Sequence, residues 1–131
     1  MTDIKYFVIA FVLFGMIDLV WLGTVARKFY QSQVGKLLKP KPSLPAAIVF
    51  YVLYIIGLLI FAIMPAVHRD SIGYAAGASA LYGLFTYATY DLTNLATLKD
   101  WPVLLTVVDV SWGIILSTLV ATGTVLIGRH L

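Results

Sequence analysis

Four apolar stretches, at 4–26, 46–64, 72–98 and 101–127, govern everything else this chain can do. Each is close to or beyond the ~20 residues that a helix needs to cross a bilayer's hydrocarbon core. The composition agrees, with 61% apolar residues and only 11% charged ones, and a mean hydropathy of +0.96. These values lie outside the range of soluble domains, so lipid is the expected solvent for most of the chain. The fold class this predicts is all-α: a single transmembrane domain over 1–131, built as an integral membrane four-helix bundle. The N-terminal stretch is read as a retained first helix. Asp18 interrupts its apolar run and no small-residue cleavage site follows, so it is not a signal peptide.

Between the first two stretches, residues 27–45 carry Arg27, Lys28, Lys36, Lys39 and Lys41, interspersed with Phe29, Tyr30, Val34, Leu37 and Leu38. This pattern predicts a short interfacial amphipathic helix, ended by Pro40, Pro42 and Pro45. The competing reading is a plain basic loop that obeys the positive-inside rule. Either way the expected partner from Arg27 to Lys41 is the bilayer with its anionic headgroups, and the net charge of +3 needs no nucleic acid to explain it. Six Lys and Arg residues fall on the face with the first and third connections, against Lys5, Arg69 and Arg129 on the other. The expected location is a bacterial cytoplasmic (inner) membrane, multi-pass, with both termini on the non-cytoplasmic side.

Small residues mark where helices can approach closely. Gly73, Gly77 and Ala80, with Ala76, Ser79 and Gly83 alongside, predict a contact face on the third helix, and Gly113, Ser117 and Ala121 predict one on the fourth. A repeat is also visible: D-L-V-W-L-G-T-V from Asp18 aligns with D-L-T-N-L-A-T-L from Asp91. The match is either chance agreement between apolar segments or the trace of two repeated helix pairs.

Asp is rare inside membrane helices, which makes Asp18, Asp91 and Asp109 the most informative residues here. Each is about eight residues from the same predicted membrane surface, hence roughly 12 Å deep at a rise of about 1.5 Å per residue. A carboxylate at such depth costs about 2.5–3.5 kcal/mol even on insertion scales, so it must face the bundle interior or a wet cavity. No Lys, Arg or His is predicted within the spans. The cost must then be offset by a proton, by neutral hydrogen-bond donors or by a bound cation.

Neighbours on the same helical faces are Trp21, Trp112, Tyr87 and Asn94, with Tyr90 adjacent to Asp91. Aromatic faces beside carboxylates suit an organic cation, although indole and phenol groups also serve as simple donors to the acids. Thr93 and Thr97 add polar atoms near the cytoplasmic mouth. The candidate ligand- or proton-binding set is therefore Asp18, Asp91, Asp109, Asn94, Trp21, Trp112, Tyr87 and Tyr90. Asp100 is expected to cap the fourth helix.

Other chemistries find no support. The chain has no cysteine, and neither a nucleophile–base spacing nor a phosphate-binding glycine loop is visible. His68 and His130 belong to the membrane face opposite the aspartates. No resident metal and no cofactor are expected, since a hard-ion cage recruits more oxygens than three Asp and one Asn.

The run Y-D-L-T-N-L-A-T-L over 90–98, then Trp101-Pro102, Asp109, Trp112 and Gly113, together with D-x-x-W-L over 18–22, resembles a bacterial family of small predicted membrane proteins of unknown function, domain-of-unknown-function family 2177. The resemblance extends over nearly the whole chain. It implies a bacterial four-helix membrane protein and carries no activity, substrate or catalytic residue.

Three functions compete on these grounds. The first is binding or transport of a small solute, cation or proton through a cytoplasm-facing aspartate and aromatic cavity, with a homodimer expected because four helices are few for alternating access. The second is an accessory or structural subunit of a larger membrane complex, with the aspartates as hydrogen-bond centres. The third is an intramembrane enzyme acting on a lipid or isoprenoid, with one carboxyl group as acid and another as base. The balance leans away from an enzyme.

Overall fold

The computed structural model describes residues 2–38, 41 and 43–131, and every regular element among them is helical. Helix α1 spans Thr2–Gly23. Thr24 then leaves the helical backbone at φ −112° and ψ −93°, and α2, Val25–Val34, restarts in a new direction. The first span therefore ends at Gly23, and Ala26, placed in that span by its apolarity, belongs to α2. A single 3₁₀ turn follows at Gly35–Leu37. Lys39, Pro40 and Pro42 lie outside the described residues. Pro45 does not end the amphipathic segment as expected, because it sits in the first turn of α3, Leu44–Leu58. A helix tolerates proline there, since that N–H has no partner in any case.

The second long helix runs continuously from Leu44 to Arg69 and contains one wide turn of π type at Leu59–Ile63, followed by α4, Met64–Arg69. It outruns its predicted end at residue 64 by more than a turn. Pro65 explains the wide turn: its ring collides with a regular α-helical carbonyl four residues back, and an extra residue in the turn relieves the clash. The wide turn also keeps one face inward. Tyr54, Leu58, Ala62 and Ala66 are all buried at four-residue intervals, a spacing that would drift around a regular helix of 3.6 residues per turn.

Helices α5, Ile72–Thr97, and α6, Val103–Arg129, follow. Ser71 caps α5, accepting the Tyr74 N–H at 3.0 Å. Asp100 does not cap α6. It adopts a left-handed backbone at φ 61° in the connection, and Pro102 occupies the cap position.

Helices α5 and α6 make the most extensive contact in the molecule, α1 packs on α6, and the π turn wedges against α5. The α5–α6 seam confirms small-residue packing but shifts its face. The buried positions on α5 are Ala75, Ser79 and Gly83, whereas Gly77 has open space around it and Gly73 meets only its own Ser71. Gly83 is the point of closest approach, because a Cβ there would strike the Gly113 carbonyl oxygen. On α6 the expected Gly113, Ser117 and Ala121 are all buried.

Three helices, Thr2–Gly23, Leu44–Arg69 and Val103–Arg129, are long and apolar enough to cross a membrane. Helix α5 has the length but not the apolarity, owing to its Thr, Tyr and Asn content. Large apolar side chains such as Ile4, Leu53, Phe61, Phe85 and Leu104 face outward, while Asp18 and Asp91 face inward. That is the reverse of a water-soluble arrangement.

Candidate functional site

Two helical stripes deliver the acids. On α1 the buried residues Tyr6, Ala10, Phe14 and Asp18 recur every four positions, and the last of them reaches the α2 end of the molecule. On α5 the line Ala75, Ser79 and Gly83 ends at buried Asp91. Helix α6 brings Asp109 from its second turn. The three lie five or six residues from the ends of their helices, hence about 8–9 Å in. They are shallower than expected because α1 and α5 stop earlier and α6 starts later than apolarity alone suggested.

Asp18, Asp91, Asp109, Asn94, Trp21, Trp112, Tyr87 and Tyr90 all line one cavity of about 630 Å³. A side chamber of about 320 Å³ adjoins it and shares Phe50, Tyr87, Tyr90 and Asp109 as walls. Among the described residues no Lys, Arg or His lines either space. Thr93 and Thr97 stay outside the cavity, and each returns its hydroxyl to a carbonyl one turn earlier on α5.

The carboxylates are treated unequally. Asp18 accepts hydrogen bonds from the Tyr51 hydroxyl and the Trp112 indole, both at 3.2 Å. Asp109 accepts one from the Tyr30 hydroxyl at 2.7 Å. Burial and the adjacent Asp109 carboxylate push the Tyr30 hydroxyl up from its ordinary phenolic value, so it remains a donor. Asp91 is 0% exposed and neither of its oxygens has a hydrogen-bond partner. Its ionisable neighbour is Asp109, whose carboxyl group lies within hydrogen-bond reach, so that the two can share one proton.

The aromatic residues also divide. Trp21 and Trp112 stack on each other with centroids 4.3 Å apart and planes 11° from parallel, closing one wall. Tyr87 lies against Gly113, where any Cβ would collide with its ring. Tyr90 stands at the rim, 58% exposed, edge-on to Trp101.

Among the contributors that escaped the sequence reading, three matter most. Tyr30 comes from α2, whose inner face is Ala26, Tyr30 and Val34 at four-residue spacing. That periodicity was the available signal. Tyr51 and Phe50 come from α3, where an aromatic cluster with Tyr54 in a largely aliphatic run was the only mark. The donors to the acids are thus neutral, and each comes from an element other than that of the acid it serves.

With this geometry in place, the chain can be compared with known proteins. A family model described as "Predicted membrane protein (DUF2177)" matches residues 3–126. The chain belongs to this family. No curated protein and no solved structure matches it. For a DUF2177 chain the three long apolar helices therefore have a plain meaning: this is a membrane protein. No three of its described Asp or His side chains gather closely enough to hold a metal ion. The cavity is a shared space lined by acids, not a coordination sphere.

Proposed function

We propose that this DUF2177 protein binds a small cationic solute in the cavity between Asp18, Asp91 and Asp109 and carries it across a bacterial inner membrane. In this reading α5 is the fourth span. Its threonines support that role, because Thr86, Thr89, Thr93 and Thr97 each turn the hydroxyl onto a carbonyl four residues earlier and so present no unsatisfied polar atom to lipid. The α2 end faces the cytoplasm, with exposed Arg27, Lys28, Lys36 and Lys41 at the headgroups.

The observation that carries the proposal is Asp91. A fully buried carboxylate without a donor, beside a second carboxylate and an open aromatic space, is unfavourable by several kcal/mol unless a proton or another cation comes to it. The volume of about 630 Å³ is in the range of small-molecule sites. The bonds to Asp18 and Asp109 support a second, structural reading for those two acids, namely clasps that fasten α1 to α3 and α6, and α2 to α6.

All three tryptophans of the chain, Trp21, Trp101 and Trp112, line the cavity, so intrinsic fluorescence reports on it directly. Protein in nanodiscs titrated with Na⁺, K⁺, NH₄⁺ and organic ammonium ions should show a saturable change with at least one of them, and counterflow in proteoliposomes should follow the same selectivity. A flat response to the whole panel would reject the proposal in favour of the structural reading.

A further inference from the structure

The contact between Asp91 and Asp109 joins two carboxyl groups that differ in access and in donors. Asp91 is fully buried, and both its oxygens are sealed without a donor. It faces the Asp109 carboxyl, from α5 to α6, at hydrogen-bond distance. Asp109 is partly exposed, borders both chambers and accepts the Tyr30 hydroxyl at 2.7 Å. A solute in the cavity therefore reaches Asp109 and not Asp91.

Charge decides what lies between the two. Ionised carboxylates in contact repel, and the other titratable groups around the space are Asp18 on α1, Tyr30 on α2, Tyr51 on α3, and Tyr87 and Tyr90 on α5. None of these is cationic, and among the described residues no Lys, Arg or His joins them. One proton removes the repulsion and forms a charge-assisted O–H···O⁻ bond. Tyr30 stabilises the charge on Asp109, so the proton is carried by Asp91, which has no donor of its own.

A monovalent cation beside Asp109 offsets the same repulsion, and the exchange of one for the other rests on the cation-binding reading above. We infer that Asp91 and Asp109 together bind one exchangeable proton, with Asp91 as its sealed carrier, and that a solute cation at Asp109 displaces it. In that exchange the Asp91 O–H bond breaks, its electron pair stays on the carboxylate, and the proton leaves past Asp109 to solvent in the cavity. The net charge of the site is the same before and after. By reciprocal linkage, the proton weakens cation binding by the same factor as the cation weakens proton binding.

The first test needs no solute. Infrared spectra of the protein in maltoside micelles at neutral pH, where exposed aspartates are ionised, should keep the carbonyl stretch of a protonated carboxylic acid and lose it at alkaline pH. Asp91→Asn should remove the band, while Asp70→Asn at the opposite end should leave it. The second test adds Na⁺, K⁺ or tetramethylammonium, none of which carries a proton to release, to weakly buffered protein with a pH-indicator dye. Each cation that changes tryptophan fluorescence should release about one proton per cation bound, and its affinity should rise by up to about tenfold per pH unit until the pair is fully ionised. Tyr30→Phe should move that plateau to higher pH, because Asp109 loses the donor that favours its charge. Asp91→Asn holds the charge of the proton-bound pair at every pH and should lose the cation response. The wild-type measurements are decisive even where Asp91→Asn fails to fold. Absence of the infrared band overturns the inference whatever the cations do. Cation binding without proton release or pH dependence also overturns it and leaves the cation site standing. No response to any cation overturns both readings.

Discussion

The two ends of this molecule solve the same problem of burial in opposite ways. Toward the Asp70 and Arg129 end, α1, α5, α6 and the π turn close on Ala10, Ala62, Ala66, Ala75 and Ala121, with Phe14, Leu116 and Val125 filling the gaps, all at most 1% exposed. Small residues let the backbones approach, and packing alone holds the contact, as is usual where lipid removes the hydrophobic advantage of association. Toward the α2 end the same helices diverge around a cavity of about 630 Å³ and are joined by phenol and indole bonds to carboxylates. One end is held by shape and the other by polar bonds around a space.

The contrast can be broken most forcefully at the packed end. Phe14→Ala removes a ring that is 1% exposed and touches Tyr51 and Tyr54. It should cost about 3–5 kcal/mol in reversible unfolding from mixed micelles. Gly83→Ala should cost about 1–3 kcal/mol by forcing α5 off the Gly113 carbonyl. Gly77→Ala, in open space, should fall within about 0.5 kcal/mol of wild type. Equal effects at the two glycines would refute the seam described here.

At the cavity end the sign should divide between acids. Tyr30→Phe deletes the donor to Asp109 and should lower stability by about 1 kcal/mol. Asp91→Leu removes a carboxylate that has no donor, so it should raise the thermal midpoint while abolishing ligand response. A lower midpoint for Asp91→Leu would mean that Asp91 belongs with the clasps. A small effect is also expected from the Arg129–Asp70 ion pair at 3.1 Å, since Asp70 is 89% exposed. Arg129→Ala should change stability by less than about 1 kcal/mol, and less still at high salt.

What was legible in the sequence follows the same division. Long apolar runs and rare acids are first-order signals, so the all-helical class, the three apolar helices and the gathering of Asp18, Asp91 and Asp109 were all accessible before any coordinates. Composition alone could not settle rotation. Gly73, Gly77 and Ala80 differ from Ala75, Ser79 and Gly83 by a partial turn of one helix, and both sets are small. The donors Tyr30 and Tyr51 were hidden for another reason: a single hydroxyl on a remote element leaves no periodic trace, and only tertiary packing selects its acceptor. Helix ends at Gly23 and Val103 depended on the backbone turn at Thr24 and on Pro102, which hydropathy does not see.

The π turn before Pro65 has a consequence for how this chain can change length. Ala66 follows Leu58 by eight positions, and both are fully buried. Loss of any one residue from 59–63 would leave seven, close to two regular turns of about 3.6. With Pro65 replaced as well, the helix could then tighten to ordinary α geometry with both faces still in phase. This short stretch is a seam at which a membrane helix can shed one residue without turning its outer surface inward, provided that the proline goes with it.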